Sequence, residues 1–268
     1  MIRFARENDV NAVRMLWESC FPEEGGFNAY FFSHIYQSDY TLLKTTDNGD
    51  LLAMLQALPY RITDGIRENE VTYLYGVCTA PEYRRQGHIT ELLEYSFALD
   101  KQAGRVASVL IPQERWLFDF YRPFGYEPSF LVSQKQITLD RNIKPSIPYR
   151  LSIEDIPQME RLYTQTVSPC HILRDETIWR QQLSLFDILG TGVYGWFENG
   201  NLSAYAFCWA DTIPEALGLT APEEQGLLSV LKIEKAVYTS PGSETPLGCI
   251  KWYEKYPVET GYMNLMLN

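Results

Sequence analysis

Val77-Cys78-Thr79-Ala80-Pro81-Glu82-Tyr83-Arg84-Arg85-Gln86-Gly87-His88-Ile89 reads as a strand that breaks into an amide-rich loop and resumes as a helix. The run from Thr72 to Thr79 is β-branched and aromatic, and Pro81 stops it. From Ile89 onward Leu92, Leu93, Phe97 and Leu99 return at helical spacing. Gly87 lets the backbone approach a ligand, and a first helical turn offers unpaired N–H groups. Such a junction, with Arg84 and Arg85 adding positive charge, is a seat for a pyrophosphate.

A second informative segment stands downstream, Leu117-Phe118-Asp119-Phe120-Tyr121-Arg122-Pro123-Phe124-Gly125-Tyr126. Together the two segments resemble the GCN5-related N-acetyltransferase (GNAT) superfamily. In motif A of that family a strand leads into Q/R-x-x-G-x-G/A and a helix. Arg84 and Gly87 match, whereas Ile89 stands where a small residue is usual. The downstream segment resembles the family's L-Y-x-x-x-G-F, with Phe120-Tyr121 for L-Y and Gly125-Tyr126 for G-F.

The resemblance implies acetyl-CoA as cosubstrate. It implies that the backbone of Val77 and Thr79, on either side of Cys78, aligns the pantetheine arm and polarises the acyl carbonyl. Backbone N–H groups from Arg85 through Gln86, Gly87, His88 and Ile89 to Thr90 would hold the pyrophosphate beside Arg84. Because backbone does that work, His88 need not be a catalytic histidine. Tyr121 falls on the tyrosine that serves as general acid; outside that frame it would read as one of 18 tyrosines packing a core.

Working outward, the first half reads as strand 2–6, helix 7–20, helix 27–36, hairpin strands 40–45 and 51–62 around Asp47-Asn48-Gly49-Asp50, and strand 71–79. Helix 87–102, strand 105–111, helix 114–121 and strand 130–139 close the unit in the acetyltransferase order. The stretch 141–148, with Pro145 and Pro148 and no periodicity, reads as a linker between a domain at 1–140 and another at 149–268. Tyr149-Arg150-Leu151-Ser152 and the helix from Asp155 echo Ile2-Arg3-Phe4-Ala5 and the helix from Asp9.

The echo continues through helix 175–186 and strands 192–198 and 202–210, then fades, since no R-x-x-G-x-G follows residue 210. The expectation is an α/β (α+β) fold of GNAT type, a mixed and mostly antiparallel sheet with flanking helices. Two such domains stand in tandem, the second degenerate and without a cofactor seat. The pairing resembles the first two domains of the enhanced-intracellular-survival (Eis-like) acetyltransferases, which also tolerate a large apolar residue at the place of Ile89. The chain ends on Gly261-Tyr262-Met263-Asn264-Leu265-Met266-Leu267, read as a final strand.

Acyl transfer to an amine needs the amine deprotonated, the carbonyl oxygen stabilised and the thiolate protonated. For the base, Glu114 follows the strand that flanks the cleft; His34, Tyr73, water and the carboxylate of Asn268 are alternatives. Glu82 reads as a surface cap. Phe27, Tyr30, Phe31 and Phe32 either line the acceptor pocket or pack a core.

Composition bounds these readings. The 46% hydrophobic and 14% aromatic content of 268 residues supports folded domains. A net charge of -11 argues against a nucleic-acid partner and mildly favours a cationic acceptor. Five scattered cysteines without C-x-x-C suit a reducing, cytoplasmic compartment, and no apolar run suits a membrane. His34, His88 and His171 have no ligand at i+3 or i+4, so no metal is expected. The expected function is N-acetyltransfer from acetyl-CoA to a primary amine of a small molecule or peptide by direct attack in a ternary complex. A non-catalytic acyl-CoA-binding or regulatory protein is the alternative, and an aminoacyl-tRNA-using transferase of the peptidoglycan-bridge type is less favoured by the acidic charge.

Overall fold

The computed structural model describes residues 1–22, 25–255 and 260–267. In chain order the elements are β1 (Ile2–Phe4), α1 (Val10–Cys20), α2 (Phe27–His34), β2 (Thr41–Thr45), β3 (Leu51–Thr63), β4 (Glu68–Thr79), α3 (His88–Gln102), β5 (Ala107–Leu110), α4 (Trp116–Tyr121) and β6 (Glu127–Thr138). There follow β7 (Tyr149–Arg150), α5 (Ile156–Thr166), β8 (His171–Leu173), α6 (Glu176–Ile188), β9 (Gly192–Glu198), β10 (Asn201–Trp209), β11 (Thr212–Leu217), α7 (Ala221–Leu231), β12 (Lys235–Pro241) and β13 (Thr245–Trp252). The described residues fall into two compact units. The first holds Met1–Ile62, Arg67–Glu127 and 249–255; the second holds Thr63–Ile66, Pro128–Gly248 and 260–267.

In the first unit β1, β2, β3, β4 and β5 lie side by side in that order. β2 runs antiparallel to β1 and to β3, whereas β5 runs parallel to β4 through Val71↔Ala107, Thr72↔Ser108 and Tyr73↔Val109. A parallel pair needs a crossover, and α3 supplies it. Helix α3 turns Leu92, Leu93 and Phe97 onto Leu42, Leu55, Ala57, Leu74, Tyr121 and Tyr126. Each such aliphatic side chain contributes about 1.5–3 kcal/mol by leaving water. Buried Asp100 fixes the far end of α3, accepting hydrogen bonds from Thr72 Oγ1 at 2.5 Å and Arg105 Nη1 at 3.1 Å.

The second unit repeats this order. β7, β9, β10, β11, β12 and β6 are neighbours, antiparallel except for the parallel pair β11–β12, and α7 makes the crossover. Its core gathers Trp196, Ala204, Ala206, Ile213, Leu227 and Leu228.

The structure corrects three sequence expectations. The strand expected to close the first domain, 130–139, is β6, and it pairs with β12 of the second unit through seven positions from Lys235↔Thr138 to Pro241↔Val132. The place beside β5 is taken by 249–252 of β13, antiparallel through Cys249↔Leu110 to Trp252↔Ala107. The units therefore do not divide at residue 140. Alternation reveals a strand but not its partner, and either segment offers β5 the same ladder of N–H and C=O groups. The final segment is no strand beyond single bridges at Gly261 and Tyr262, since Leu265 (φ 50°) and Leu267 (φ 70°) are left-handed and break the extended run.

Candidate active site

The donor side of the site is the part of β4 that leaves its neighbour. Pairing with β5 ends at Tyr73↔Val109, β5 stops at Leu110, and β4 continues to Thr79. Val77 and Thr79 thus sit on a splayed strand end whose polar groups are not consumed by β5, and Ala80 N donates instead to Leu52 O of β3 at 2.9 Å. Gly76 marks the bend. Its φ is +57°, and a Cβ there would stand 2.3 Å from Trp17 Cζ3. Only glycine permits both the left-handed backbone and the close approach of Trp17.

Trp17 anchors the wall opposite. Its indole donates to Asn28 Oδ1 at 2.8 Å and stacks on Phe31 with centroids 4.5 Å apart. Tyr75 of β4 leans on the same pair, 5.5 Å from Trp17 and 5.7 Å from Phe31. Of the aromatics expected on α2, Phe31 and Tyr30 are buried core and Phe32 is half-buried against Trp17 and Tyr36. Trp17 and Gly76 escaped the sequence reading, although a lone glycine within a strand pattern is itself a signal of close backbone approach.

After β4, Pro81–Tyr83 makes one turn of 3-10 helix and the chain loops into α3. Arg85 (φ 63°) and Gly87 (φ 83°) are both left-handed, Gly87 is the N-cap, and no side chain caps the helix. None of the amides of Arg85 to Thr90 donates to another described residue in ordinary hydrogen-bond geometry. Nothing lies within 4 Å of a Cβ placed on Gly87, so the space over the helix end is open. Arg84, Arg85 and Gln86 are exposed around it. Both ring nitrogens of His88 are shielded from solvent and unpartnered. Ile89 packs against the unit's core rather than into the loop, which accommodates its size. Open amides, two arginines and an orphaned imidazole suit the phosphates of a coenzyme A ester.

At the other end of the free segment stands Tyr121, the last residue of α4, 7% exposed and in one cluster with Leu74 and Tyr126. Its hydroxyl makes no hydrogen bond to a described residue. Burial raises its pKa, and the neighbouring thiols of Cys249 and Cys78 add to the rise. Tyr126, in contrast, is tied down, its hydroxyl 2.6 Å from Ser108 Oγ.

Other candidates lie apart. Glu114 is exposed and accepts a hydrogen bond from Trp116 Nε1 at 2.7 Å. His34 is exposed and stacks on Tyr30 with centroids 4.5 Å apart. Tyr73 is buried between Tyr60 and Tyr75, and burial raises its pKa. Glu82 is exposed at the turn. Asn268 lies outside the described residues. Among the described residues no helix is long and apolar enough to cross a membrane.

This is a GNAT fold. Residues 1–129 match the family model of the acetyltransferase (GNAT) domain. A probable N-acyltransferase of Enterococcus faecalis V583 superposes with TM-score 0.72 at 15% identity, covering 94% of this chain and 72% of that one. Eis1 of Mycobacterium abscessus gives TM-score 0.63 at 12% identity, with 94% and 73% covered. The N-myristoyltransferase of Saccharomyces cerevisiae, with bound myristoyl-CoA, gives 0.56 at 8% identity, with 96% and 83% covered. The likeness in fold thus extends well past residue 129, where the family model ends. No curated protein matches the sequence significantly.

Proposed function

We propose that this chain is an acetyl-CoA-dependent N-acetyltransferase that acts on a primary amine of a small molecule or peptide by direct attack in a ternary complex. One observation carries the reading: the end of β4 that is free of β5 runs between an open, basic, uncapped helix N-terminus and a buried phenol with no partner among the described residues. Acetyl-CoA, when bound, supplies a thioester whose carbonyl an amine can attack as the thiolate departs. Amides 85–90 with Arg84 and Arg85 hold the phosphates, and the backbone of Val77 and Thr79 orients the arm. Tyr121 keeps its proton throughout the neutral range because burial disfavours the phenolate, so it can deliver that proton to sulfur.

The first unit is the donor domain in this reading and the second a degenerate copy, as in the Eis-like tandem arrangement. The exposed, Trp116-bonded carboxylate of Glu114 favours loss of the amine's proton to water over transfer to a fixed base. The acidic surface, with a net charge of -11, draws cationic acceptors. Five free cysteines suit the cytoplasm.

The test is release of free thiol from acetyl-CoA in the presence of a panel of amines. Tyr121→Phe should lower turnover about 10²-fold while leaving acyl-CoA affinity unchanged. Unchanged turnover would remove Tyr121 from the mechanism. Coenzyme A binding with no thiol release for any amine would identify a non-catalytic acyl-CoA-binding protein instead.

A further inference from the structure

The last residue of α1, Cys20, stands against the donor loop. Its thiol donates to Thr79 O at 3.4 Å and lies 3.6 Å from Ser19 Oγ, and Arg84 Nη2 reaches it at 3.7 Å. Arg84 Nε also holds Thr79 O at 3.2 Å, so the arginine bridges the strand end and the sulfur. Cys78, one residue before Thr79 on β4, is buried whereas Cys20 is half-exposed. A solute can therefore reach Cys20, and Cys78 immediately precedes the residue whose carbonyl the Cys20 thiol touches.

The electrostatics agree. Hydrogen bonding with Cys78, then with Ser19 and Arg84, lowers the Cys20 thiol to about 6 against the cost of burial. The same contact with Cys20, together with burial, pushes the Cys78 thiol up. The pair thus has one accessible sulfur that gives up its proton readily and one hidden sulfur that keeps it. Cys170, Cys208 and Cys249 are buried, and burial raises all three.

We propose that Cys20 is a thiol-modification site that takes low-molecular-weight disulfides, and that Cys78 resolves the adduct into a Cys20–Cys78 disulfide. In the first step the Cys20 thiolate attacks RS–SR, the S–S bond breaks, and one RS⁻ leaves. Next Cys78 gives its proton to that thiolate and attacks the Cys20 sulfur, and the second RS⁻ leaves to take up the proton that Cys20 had released. Two protein thiols and one disulfide become one protein disulfide and two free thiols. Arg84 couples this chemistry to the donor seat, a consequence that rests on the proposed function. Phosphates that recruit Arg84 leave the thiolate unneutralised, so coenzyme A should slow the first step, and the coupling is reciprocal.

The experiment treats the full chain with oxidised glutathione, without coenzyme A, and then counts thiols in denaturant and maps peptides. Five thiols should fall to three, with Cys20 joined to Cys78 and no glutathione retained. Cys78→Ser should keep one glutathione on Cys20, and Cys20→Ser should lose no thiol. On the wild type, alkylation of Cys20 should reach half its limiting rate near pH 6. An adduct on Cys20 that persists beside free Cys78, a disulfide between other cysteines, or an unchanged thiol count overturns the proposal. Saturating desulfo-coenzyme A, which carries the phosphates but no thiol to exchange with oxidised glutathione, should slow formation several-fold. A disulfide that forms equally fast with it upholds the modification site and counts against the donor seat.

Discussion

Helices α3 and α7 hold the same place in two copies of one strand order, each following the fourth strand and leading into its parallel neighbour. Their N-termini are opposite in character. At α3 a left-handed Gly87 caps nothing, the amides of the first turn are open, and Arg84 and Arg85 stand beside them. At α7 Thr220 and Glu223 form a capping box in which Thr220 N donates to Glu223 Oε2 at 2.6 Å, and Glu223 and Glu224 put negative charge in the first turn. The linker lies on top: Ser146 N donates to Pro222 O at 2.8 Å, and a Cβ on Gly226 would collide with Ser146 O at 1.6 Å. Both helices carry the same dipole; a side-chain cap and overlying chain remove one as an anion seat.

The fourth strands differ in the same sense. Along β4 the segment past Tyr73 is free of β5, whereas β11 carries Glu215, fully buried and bound in two places by Arg174 at 2.6 Å each. Tyr205 and Tyr262 add hydrogen bonds to that carboxylate at 2.9 and 2.7 Å, and Asn264 O accepts from Arg174 at 3.0 Å. The C-terminal segment thus packs the second unit at the strand that corresponds to β4.

Breaking the buried pair should give the largest effect. Arg174→Met leaves Glu215 charged and unpaired, and urea unfolding should show a loss of about 3–5 kcal/mol, partly restored by removing Glu215 as well. At the open helix, Arg84→Ala should weaken coenzyme A binding about tenfold by calorimetry, with added salt shrinking the difference. At the closed one, Thr220→Ala should cost about 1 kcal/mol of stability without touching coenzyme A affinity; a loss of binding there would erase the distinction drawn between the helices. Glu114→Gln should change turnover less than about twofold, since an exposed carboxylate held by Trp116 has no fixed place in the proton path.

Much of this was legible along the chain. The β4–loop–α3 junction came from a strand pattern, Pro81, Gly87 and helical spacing, all local signals. Tyr121 was singled out as a candidate from its frame of neighbours, and the hairpin β9–β10 was read from the Asn199-Gly200 turn. Glu114 was legible only as a carboxylate following β5; which way that carboxylate turns, outward to Trp116 Nε1, is not written in its distance along the chain. Cys20 gave no signal at all: 57 residues of sequence separate it from Cys78, and only the packing of α1 on β4 brings it to the end of that strand.

By itself the sequence determined which segments are strands and helices, where the glycines allow the chain to turn, and which loop carries basic charge, because these depend on steric and hydrophobic preferences within a few residues. Tertiary structure alone decided that β6 and 249–252 close units other than those their order suggests, and that one helix end stays open while the other is capped and covered. Backbone pairing groups are the same in every strand, and a cap matters only where chain from elsewhere also fits. Those choices follow from side-chain packing across long sequence distances.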